Sequence, residues 1–309
     1  MNAPHQWRRI LGSVIGTVRH RLGQALFLRV AGPDGARHRD RIHGTPGPRW
    51  FDPASPIGRV HGDAAMFVGG IRAILLQTLH PAAMTAVAEH SGYRGDMWGR
   101  LARTSRFIAV TTFGTADDAQ RAVDAVRAIH ERVSGTMPDG TSYAASDPHL
   151  LLWVHVAEVD SFLTAHQAYG KHPLDQAERD EYVAQTAEVA RRLGVLDPPT
   201  TEVELAETLA AFRPELRATG HARDAVSYLV WRPPLPVALR PAYGVLMAAA
   251  IGLMPRWTRR PLRLPSHPVS DRTVVKALGT LATGTIRWAM APGRAEARAL
   301  HASVSEAAG

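Results

Sequence analysis

Two histidines lie at helical positions where the surrounding pattern calls for an aliphatic residue. His130 follows Val126 by one helical turn, and His155 follows Leu151 by the same spacing, so each falls on an apolar stripe. A single histidine in such a place is most often a core residue with satisfied hydrogen bonds, and that alternative stays open for both. A neutral imidazole in an apolar pocket is also a ligand that iron accepts.

Arginines recur in the same apolar part of the sequence, at Arg72, Arg100 and Arg127. A buried guanidinium needs an anionic partner. Haem would satisfy both groups, because its macrocycle is apolar, its iron binds imidazole and its propionates bind arginine. We therefore expect haem, with His130 as one candidate ligand of its iron and these arginines as candidates to hold the propionates. His155 is an alternative or second ligand, and two histidine ligands would favour electron transfer over oxygenation.

Three further side chains have a functional and a structural interpretation. Thr104 shares a helical face with Arg100, so its hydroxyl could orient oxygen or a water, or could serve only in packing. His80 precedes a proline that frees a backbone carbonyl, so it either lines the distal side of the haem or holds that carbonyl. Arg127 either reaches a propionate or forms a surface pair with Glu131.

The absent motifs narrow the chemistry. The sequence has no cysteine, which excludes disulfides, cysteine-ligated metals and covalently attached c-type haem. It also lacks the H-E-x-x-H, G-x-S-x-G, Walker and G-x-G-x-x-G patterns, so zinc protease, hydrolase, NTPase and dinucleotide interpretations lose most of their support. A non-haem iron site remains an alternative, with His80, His130 and His155 as ligands together with a carboxylate such as Glu89 or Glu158.

Charge is concentrated at the N-terminus. The chain carries a formal net charge of +8, and residues 1–59 contribute ten Arg against three Asp. We interpret 1–57 as a basic arm with a Pro/Gly-rich, irregular linker, whose first 30 residues form an amphipathic helix. This helix either contacts a membrane peripherally or docks on the body, and nucleic acid is not an expected partner. We expect a cytoplasmic protein, with membrane association through this segment as an option.

The elements that would position these residues are helices. Helices are predicted at 98–113, from the cap at Thr115 to Gly135, and after Asp147. The apolar stretch 64–88 is broken at Gly69-Gly70 and before Pro81, so it predicts a buried helix pair and no membrane span. Residues 241–255 predict a core helix, with an interfacial helix as the alternative. The expected fold is all-α, a single globular domain of roughly ten helices over 58–290, with a tail at 291–309.

Several motifs in one order then indicate a family. The chain has Gly-Gly-Ile-Arg-Ala-Ile-Leu-Leu-Gln-Thr-Leu-His-Pro at 69–81, Arg-Leu-Ala-Arg-Thr at 100–104, Phe-Gly at 113–114, Val-Arg-Ala-Ile-His at 126–130 and Trp-Val-His at 153–155. Over residues 58–265 it resembles the oxygenase family (DUF2236-like) that contains rubber oxygenase and the endoplasmic-reticulum-bound oxygenase of mycophenolic acid biosynthesis.

The resemblance implies an all-helical, haem b-dependent oxygenase that uses O2 on a small apolar substrate, unsaturated or isoprenoid-like. It implies His130 as the proximal ligand within Val-Arg-x-x-His, and matches Arg100 and Thr104 to a family pair. The chain departs at Ser134, where rubber oxygenase has an arginine, and Glu89 is only a candidate for the family's base. The alternative function is a non-enzymatic lipid-binding or membrane-surface protein. The sequence does not distinguish mono- from dioxygenation.

Overall fold

In the computed structural model, residues 3–91 and 95–291 are described, and they form a helical body with one small hairpin. The larger helices are α1 (Ala3–Ala31), α2 (Gly35–Gly44), α3 (Pro56–His61), α4 (Met66–Gln77), α5 (Pro81–His90), α6 (Met97–Phe113), α7 (Ala116–His130), α8 (Pro148–Tyr169), α9 (Gln176–Leu193), α10 (Glu202–Ala211), α11 (Gly220–Trp231) and α12 (Arg240–Leu253). The chain continues through α13 (Arg256–Arg259), α14 (Pro268–Ser270), a π-helical turn (Asp271–Val275) and α15 (Lys276–Met290). The all-α prediction is confirmed.

Helices α4 and α8 form the centre of the fold. They cross at Gly69, where an added Cβ would lie 3.0 Å from Cδ1 of Phe162 and 3.2 Å from its Cα. Glycine at this position therefore allows the two backbones to approach closely. The surrounding core includes the fully buried Leu75, Leu76 and Trp153, which make an apolar frame around both helices.

A buried ion pair fixes the same crossing. The guanidinium of Arg72 is 3% exposed, and its Nη1 lies 2.7 Å from Oδ2 of Asp160 and donates to Oγ of Ser161 at 2.7 Å. Its Nε donates to the carbonyl of Leu253 at 3.1 Å. Arg72 thus has an anionic partner within the chain, and loss of the Asp160 charge would leave the Arg72 cation buried without a carboxylate.

The predicted break in the stretch 64–88 is confirmed. Helix α4 ends at Gln77 and α5 begins at Pro81, because proline fits the first turn of a helix but not its interior. Helix α12 has a buried face with Met247 and Ile251, as the core interpretation expects, but Pro241 and Ala248 on its other face are exposed. None of the helices built from the described residues combines the length and apolarity that a bilayer crossing requires.

The N-terminal segment differs from the predicted linker. Helix α1 packs against α6 and α15, which agrees with the docked alternative for this helix, although the side chains of its first 13 residues lie outside the described part. Gly32 ends α1 with a φ of 77°, and the helix-forming Ala36 and Arg37 then allow α2 to form where an irregular linker was predicted. The predicted tail lies outside the described residues from 292 onward.

The end of α7 is also different from the prediction. The helix stops at His130, five residues before Gly135, because the next residues pair as a hairpin: β1 (Ser134–Thr136) runs antiparallel to β2 (Ser142–Ala144). The carbonyl of Val133 accepts from the amide of Ala145 at 2.8 Å, which extends this pairing toward the helix. His130 is therefore the last residue of α7, immediately before a short connection to the hairpin.

Candidate functional site

His130 lies at the C-terminal end of α7 with an unsatisfied ring. Thr115 caps the start of this helix by accepting from the amide of Asp118, and the buried Val123 fixes its inward face. Nδ1 of His130 is buried and has no hydrogen-bond partner among the described residues. Burial lowers the pKa of the imidazole, so the ring is neutral at pH 7. Neutral imidazole is the form that ligates a metal.

His155 is a second histidine of the same kind, in the middle of α8. The capped Asp147-Pro148 start sets the register of α8, and Leu151 and Val159, one turn before and one turn after His155, are both buried. Burial, with a smaller effect of the Arg191 charge, lowers the pKa of His155 to about 4. Its Nε2 is buried and, within the described residues, unpartnered.

The C-terminal end of α9 connects the surroundings of these two histidines. Nη1 of Arg127, one turn before His130, donates to the carbonyl of Arg192 at 3.3 Å. The neighbouring Arg191 is close enough to His155 to lower its pKa. Arg127 itself is exposed, so its guanidinium stands at the edge of this region and keeps rotational freedom.

Arg100 is a half-buried cation near the start of α6. Its Nη1 donates to Oγ of Ser91 at 2.7 Å, and none of the ion pairs among the described residues includes it. Burial and the nearby Arg103 charge lower its pKa, which means that its surroundings disfavour the charge. Arg103 pairs with Asp96 at 3.0 Å instead. Arg100 is therefore suited to accept an anion supplied from outside the described chain.

The face that Arg100 shares with Thr104 is open. Thr104 is exposed, and among the described residues of α6 only Thr111 and Thr112 are fully buried. The N-terminal half of α6 thus lacks the close packing of its C-terminal end. Thr104 is therefore accessible to a ligand, one turn from the half-buried Arg100.

His80 has contacts that give it a structural role. Its Nδ1 accepts from the amide of Ala83 at 3.5 Å and caps α5, while its Nε2 lies 3.5 Å from Oε2 of Glu215. His149 lies 3.0 Å from the same carboxylate. This cluster packs against Trp153 and neighbouring rings. The ring therefore caps α5, while the backbone amide of His80 donates at 3.3 Å to the carbonyl of Gln77, which Pro81 leaves free, as the structural alternative expects.

Glu158 is a carboxyl group that the sequence patterns did not single out for proton chemistry. It follows His155 by three residues on the same face of α8, a spacing visible in the sequence. Burial raises its pKa to about 7. Burial also raises the pKa of Tyr182, and the Glu158 charge adds to this effect. A carboxyl group with a pKa of about 7 is able to hold or release a proton near neutral pH.

The hairpin is joined to the end of α5 by Tyr143. Its hydroxyl donates to Oε2 of Glu89 at 2.6 Å and lies 3.1 Å from Nε2 of His90. Ser91, the next residue, is the acceptor for Arg100. Glu89 therefore has a tyrosine partner 54 residues away, a pairing for which the sequence carries no signal. Hydrogen bonds thus link the hairpin to the end of α5 through Tyr143 and Glu89, and link Arg100 to Ser91, which directly follows α5.

The side chains that could act as ligands in the described residues suit haem better than a metal ion that the protein alone coordinates. In residues 3–91 and 95–291, no three His, Asp or Glu side chains are grouped as metal ligands, so His80, His130 and His155 do not form the shared site of the non-haem alternative. Haem needs a single axial imidazole and cations for its propionates. Within the part of the chain that the structure describes, His130 and His155 each have an unpartnered ring nitrogen and Arg100 has no carboxylate partner, so these side chains could meet that need.

Comparison with known proteins identifies a family. Residues 58–288 match the family model described as ER-bound oxygenase mpaB/B'/rubber oxygenase, catalytic domain. Over 126 residues the chain is 31% identical to the uncharacterized proteins Mb2261 of Mycobacterium bovis and Rv2237 of Mycobacterium tuberculosis, covering 39% of this chain and 47% of each relative. The chain thus spans about half the length of these relatives, and no solved structure matches it. Because the family model covers most of the chain, the protein belongs to the mpaB and rubber oxygenase catalytic-domain family.

Proposed function

We propose that the protein is a haem b-dependent oxygenase that acts with O2 on a small apolar, unsaturated or isoprenoid-like substrate. The observation that carries the proposal is Nδ1 of His130 at the end of α7, which is buried and has no hydrogen-bond partner among residues 3–91 and 95–291. An imidazole nitrogen without a partner is costly in a protein interior unless a ligand satisfies the ring. Membership of an oxygenase family supports the same reaction class.

His130 is the proposed iron ligand, and His155 is the alternative or second one. Both rings are neutral at pH 7 because burial lowers their pKa. Haem b, when bound, would supply the iron centre for chemistry with O2. His130 lies next to a hairpin connection, whereas His155 lies inside a long helix, so His130 has more freedom to adjust its ring to a ligand.

Arg100 is the proposed propionate partner, with Arg127 at the edge of the site. Arg100 has a hydrogen bond to Ser91 but no carboxylate within the described residues, so a propionate would neutralise it. Arg127 bonds only a backbone carbonyl in the described contacts and is free to turn toward a second propionate. Arg72 is not proposed as a propionate partner, because Asp160 already satisfies its charge.

Two polar groups are proposed to act on the substrate side. The exposed Thr104 hydroxyl shares a face with Arg100 and would orient a water or a substrate group. Glu158 would hold a proton on its carboxyl oxygen up to about pH 7 and release it above that value. His80 was expected to shape the distal side, and its contacts with Ala83 and Glu215 favour a capping role instead.

The proposal is tested by cofactor analysis of the protein expressed with haem supply. We expect one extractable haem b per chain, and incorporation of ¹⁸O from ¹⁸O2 into an apolar unsaturated substrate from a panel of isoprenoids. Iron without porphyrin would contradict the haem assignment and support a non-haem site. A pure protein that retains neither iron nor porphyrin, yet binds isoprenoid or acyl chains, would support the lipid-binding alternative.

A further inference from the structure

Basic and acidic residues are distributed unequally along the chain, which the net charge of +8 does not show. Residues 231–291 hold eight Arg and one Lys against a single acidic residue, Asp271, whereas residues 60–230 hold 15 basic and 22 acidic residues. Asp271 pairs with the buried Arg259 and presents no free charge. The exposed charges of this segment are therefore all positive, at Arg232, Arg240, Arg256, Arg260, Arg263, Arg272 and Lys276.

Exposed aliphatic side chains lie between these cations. Val237 is 75% exposed and Leu239 is 44% exposed, immediately before α12. On α15, Leu278 and Leu281 are 44% and 68% exposed and lie about one turn apart. These positions belong to one surface, because α12 packs against the turn at 237–239, against the π-helical turn and against α15.

An apolar groove joins the two sides of this surface. It has a volume of about 190 Å³ and lies between Pro241, Val245 and Ala248 of α12 and Val275 and Leu278 on the other side. We call the surface formed by residues 237–248 and 272–281 the basic apolar face. Its uncharged centre and its border of Arg240, Arg272 and Lys276 combine burial of aliphatic groups with attraction to negative charge.

We propose that the basic apolar face docks on the surface of an anionic lipid bilayer. Charge complementarity favours this partner, because the exposed ionised groups of the segment are all cations and phospholipid headgroups can be anionic. Exposed leucine and valine side chains favour lipid over nucleic acid, because they enter the acyl boundary but make no specific contact with phosphates. The proposed docking is peripheral, involves residues distinct from 1–30 and does not depend on haem binding.

Co-sedimentation of the full chain with vesicles tests the proposal. Vesicles of phosphatidylcholine with phosphatidylserine should bind the protein, vesicles of phosphatidylcholine alone should bind it much less, and high salt should weaken binding. Arg272→Gln with Lys276→Gln should weaken binding by roughly tenfold or more. The matched control, Arg132→Gln with Arg223→Gln, removes two exposed cations elsewhere and should leave binding within about twofold of wild type.

A second variant tests the aliphatic contribution. Leu278→Asn with Leu281→Asn should reduce vesicle binding even at low salt, whereas Leu196→Asn with Val203→Asn, two comparably exposed aliphatic residues on the α9–α10 side, should not. Haem content and thermal unfolding of each variant report whether the fold is intact, and haem content separates this result from the proposed function. Equal binding of wild type to neutral and anionic vesicles would overturn the proposal.

Two other outcomes would also overturn it. One is tight binding to duplex DNA that Arg272→Gln with Lys276→Gln abolishes, without any vesicle binding, which would assign the face to nucleic acid. The other is a dimer in solution that Leu278→Asn with Leu281→Asn dissociates, without vesicle binding, which would assign the face to a second copy of the chain.

Discussion

At the scale of single residues, the site consists of groups whose hydrogen bonds or charges are incomplete within the described chain. In the described residues, His130 and His155 each have a buried ring nitrogen without a partner, and Arg100 has no carboxylate partner. Arg72 shows the opposite case, because Asp160 and Ser161 satisfy it. The contrast separates an arginine that stabilises the fold from one that is suited to an external anion.

Replacement of Arg100 tests its assignment as a propionate partner. Arg100→Ala should weaken haem binding by between about tenfold and about a hundredfold, because one charge-assisted hydrogen bond is lost. The haem-free protein should be no less stable, since the change removes a cation that burial disfavours. Titration of haem into haem-free protein measures the first effect and urea unfolding the second. Arg106→Ala, an exposed position on the same helix, is the control, and equal haem affinity of the two variants would refute the assignment.

The raised pKa of Glu158 predicts a pH-dependent contribution to stability. Its carboxyl releases a proton near 4.5 in the unfolded chain but near 7 in the folded one, so between these values the folded state binds more protons. The free energy of unfolding therefore falls as pH rises through this window and levels off above it. Glu158→Gln removes the effect. The free energy of unfolding of this variant, relative to that of wild type, should therefore rise between about pH 5 and about pH 8, by on the order of 3 kcal/mol at most.

Urea unfolding at the two pH values measures this difference. Glu207→Gln, at an exposed position of α10, is the control and should show no such gain. A Glu158→Gln variant whose stability relative to wild type is the same at both pH values would show that the carboxyl is ionised in the folded protein throughout this range.

At the scale of elements, the close crossing of α4 and α8 holds the site's helices in register. Gly69→Ala would place a Cβ 3.0 Å from Phe162, so the helices must separate, at a cost of about 1–3 kcal/mol in the free energy of unfolding. Gly70→Ala has nothing within 4 Å and should stabilise the helix by up to about 1 kcal/mol. Urea denaturation measures the free energy of unfolding of the two variants. If both substitutions stabilise the protein, or both destabilise it, the close crossing at Gly69 is contradicted.

Local signals in the sequence were sufficient for many helix ends but not for the contacts between helices. The caps at Thr115 and Asp147 and the proline at 81 correctly predicted where α7, α8 and α5 begin. The end of α7 was wrong, because the β1–β2 pairing competes with helix continuation and joins residues that are distant along the chain. The helical periodicity identified His130, because this polar residue occupies a position where the pattern predicts an apolar one.

The partners of the site residues could not be predicted in the same way. Arg72 and Asp160 are 88 positions apart, and Tyr143 and Glu89 are 54 apart, so no local spacing links them. Glu158 was detectable in principle from its i, i+3 spacing to His155. Its raised pKa arises from burial between helices, which depends on tertiary packing.

At the scale of the whole molecule, charge and apolar surface are distributed unequally. An acidic body containing the site residues carries a strongly basic C-terminal segment with exposed leucine and valine side chains. For an enzyme with an apolar substrate, attachment to a lipid surface would place it where such molecules partition. This arrangement joins the proposed oxygenase function to the proposed docking, while each keeps an independent test.

The absorption spectrum of the purified wild type, beside His130→Ala and His155→Ala, tests the central claim most directly. We expect a Soret band in wild type and a lost or shifted band in His130→Ala, whereas a shift in His155→Ala as well would identify His155 as the second ligand. A wild-type protein without a Soret band, or a His130→Ala variant with the position and intensity of wild type, would contradict His130 as the haem ligand.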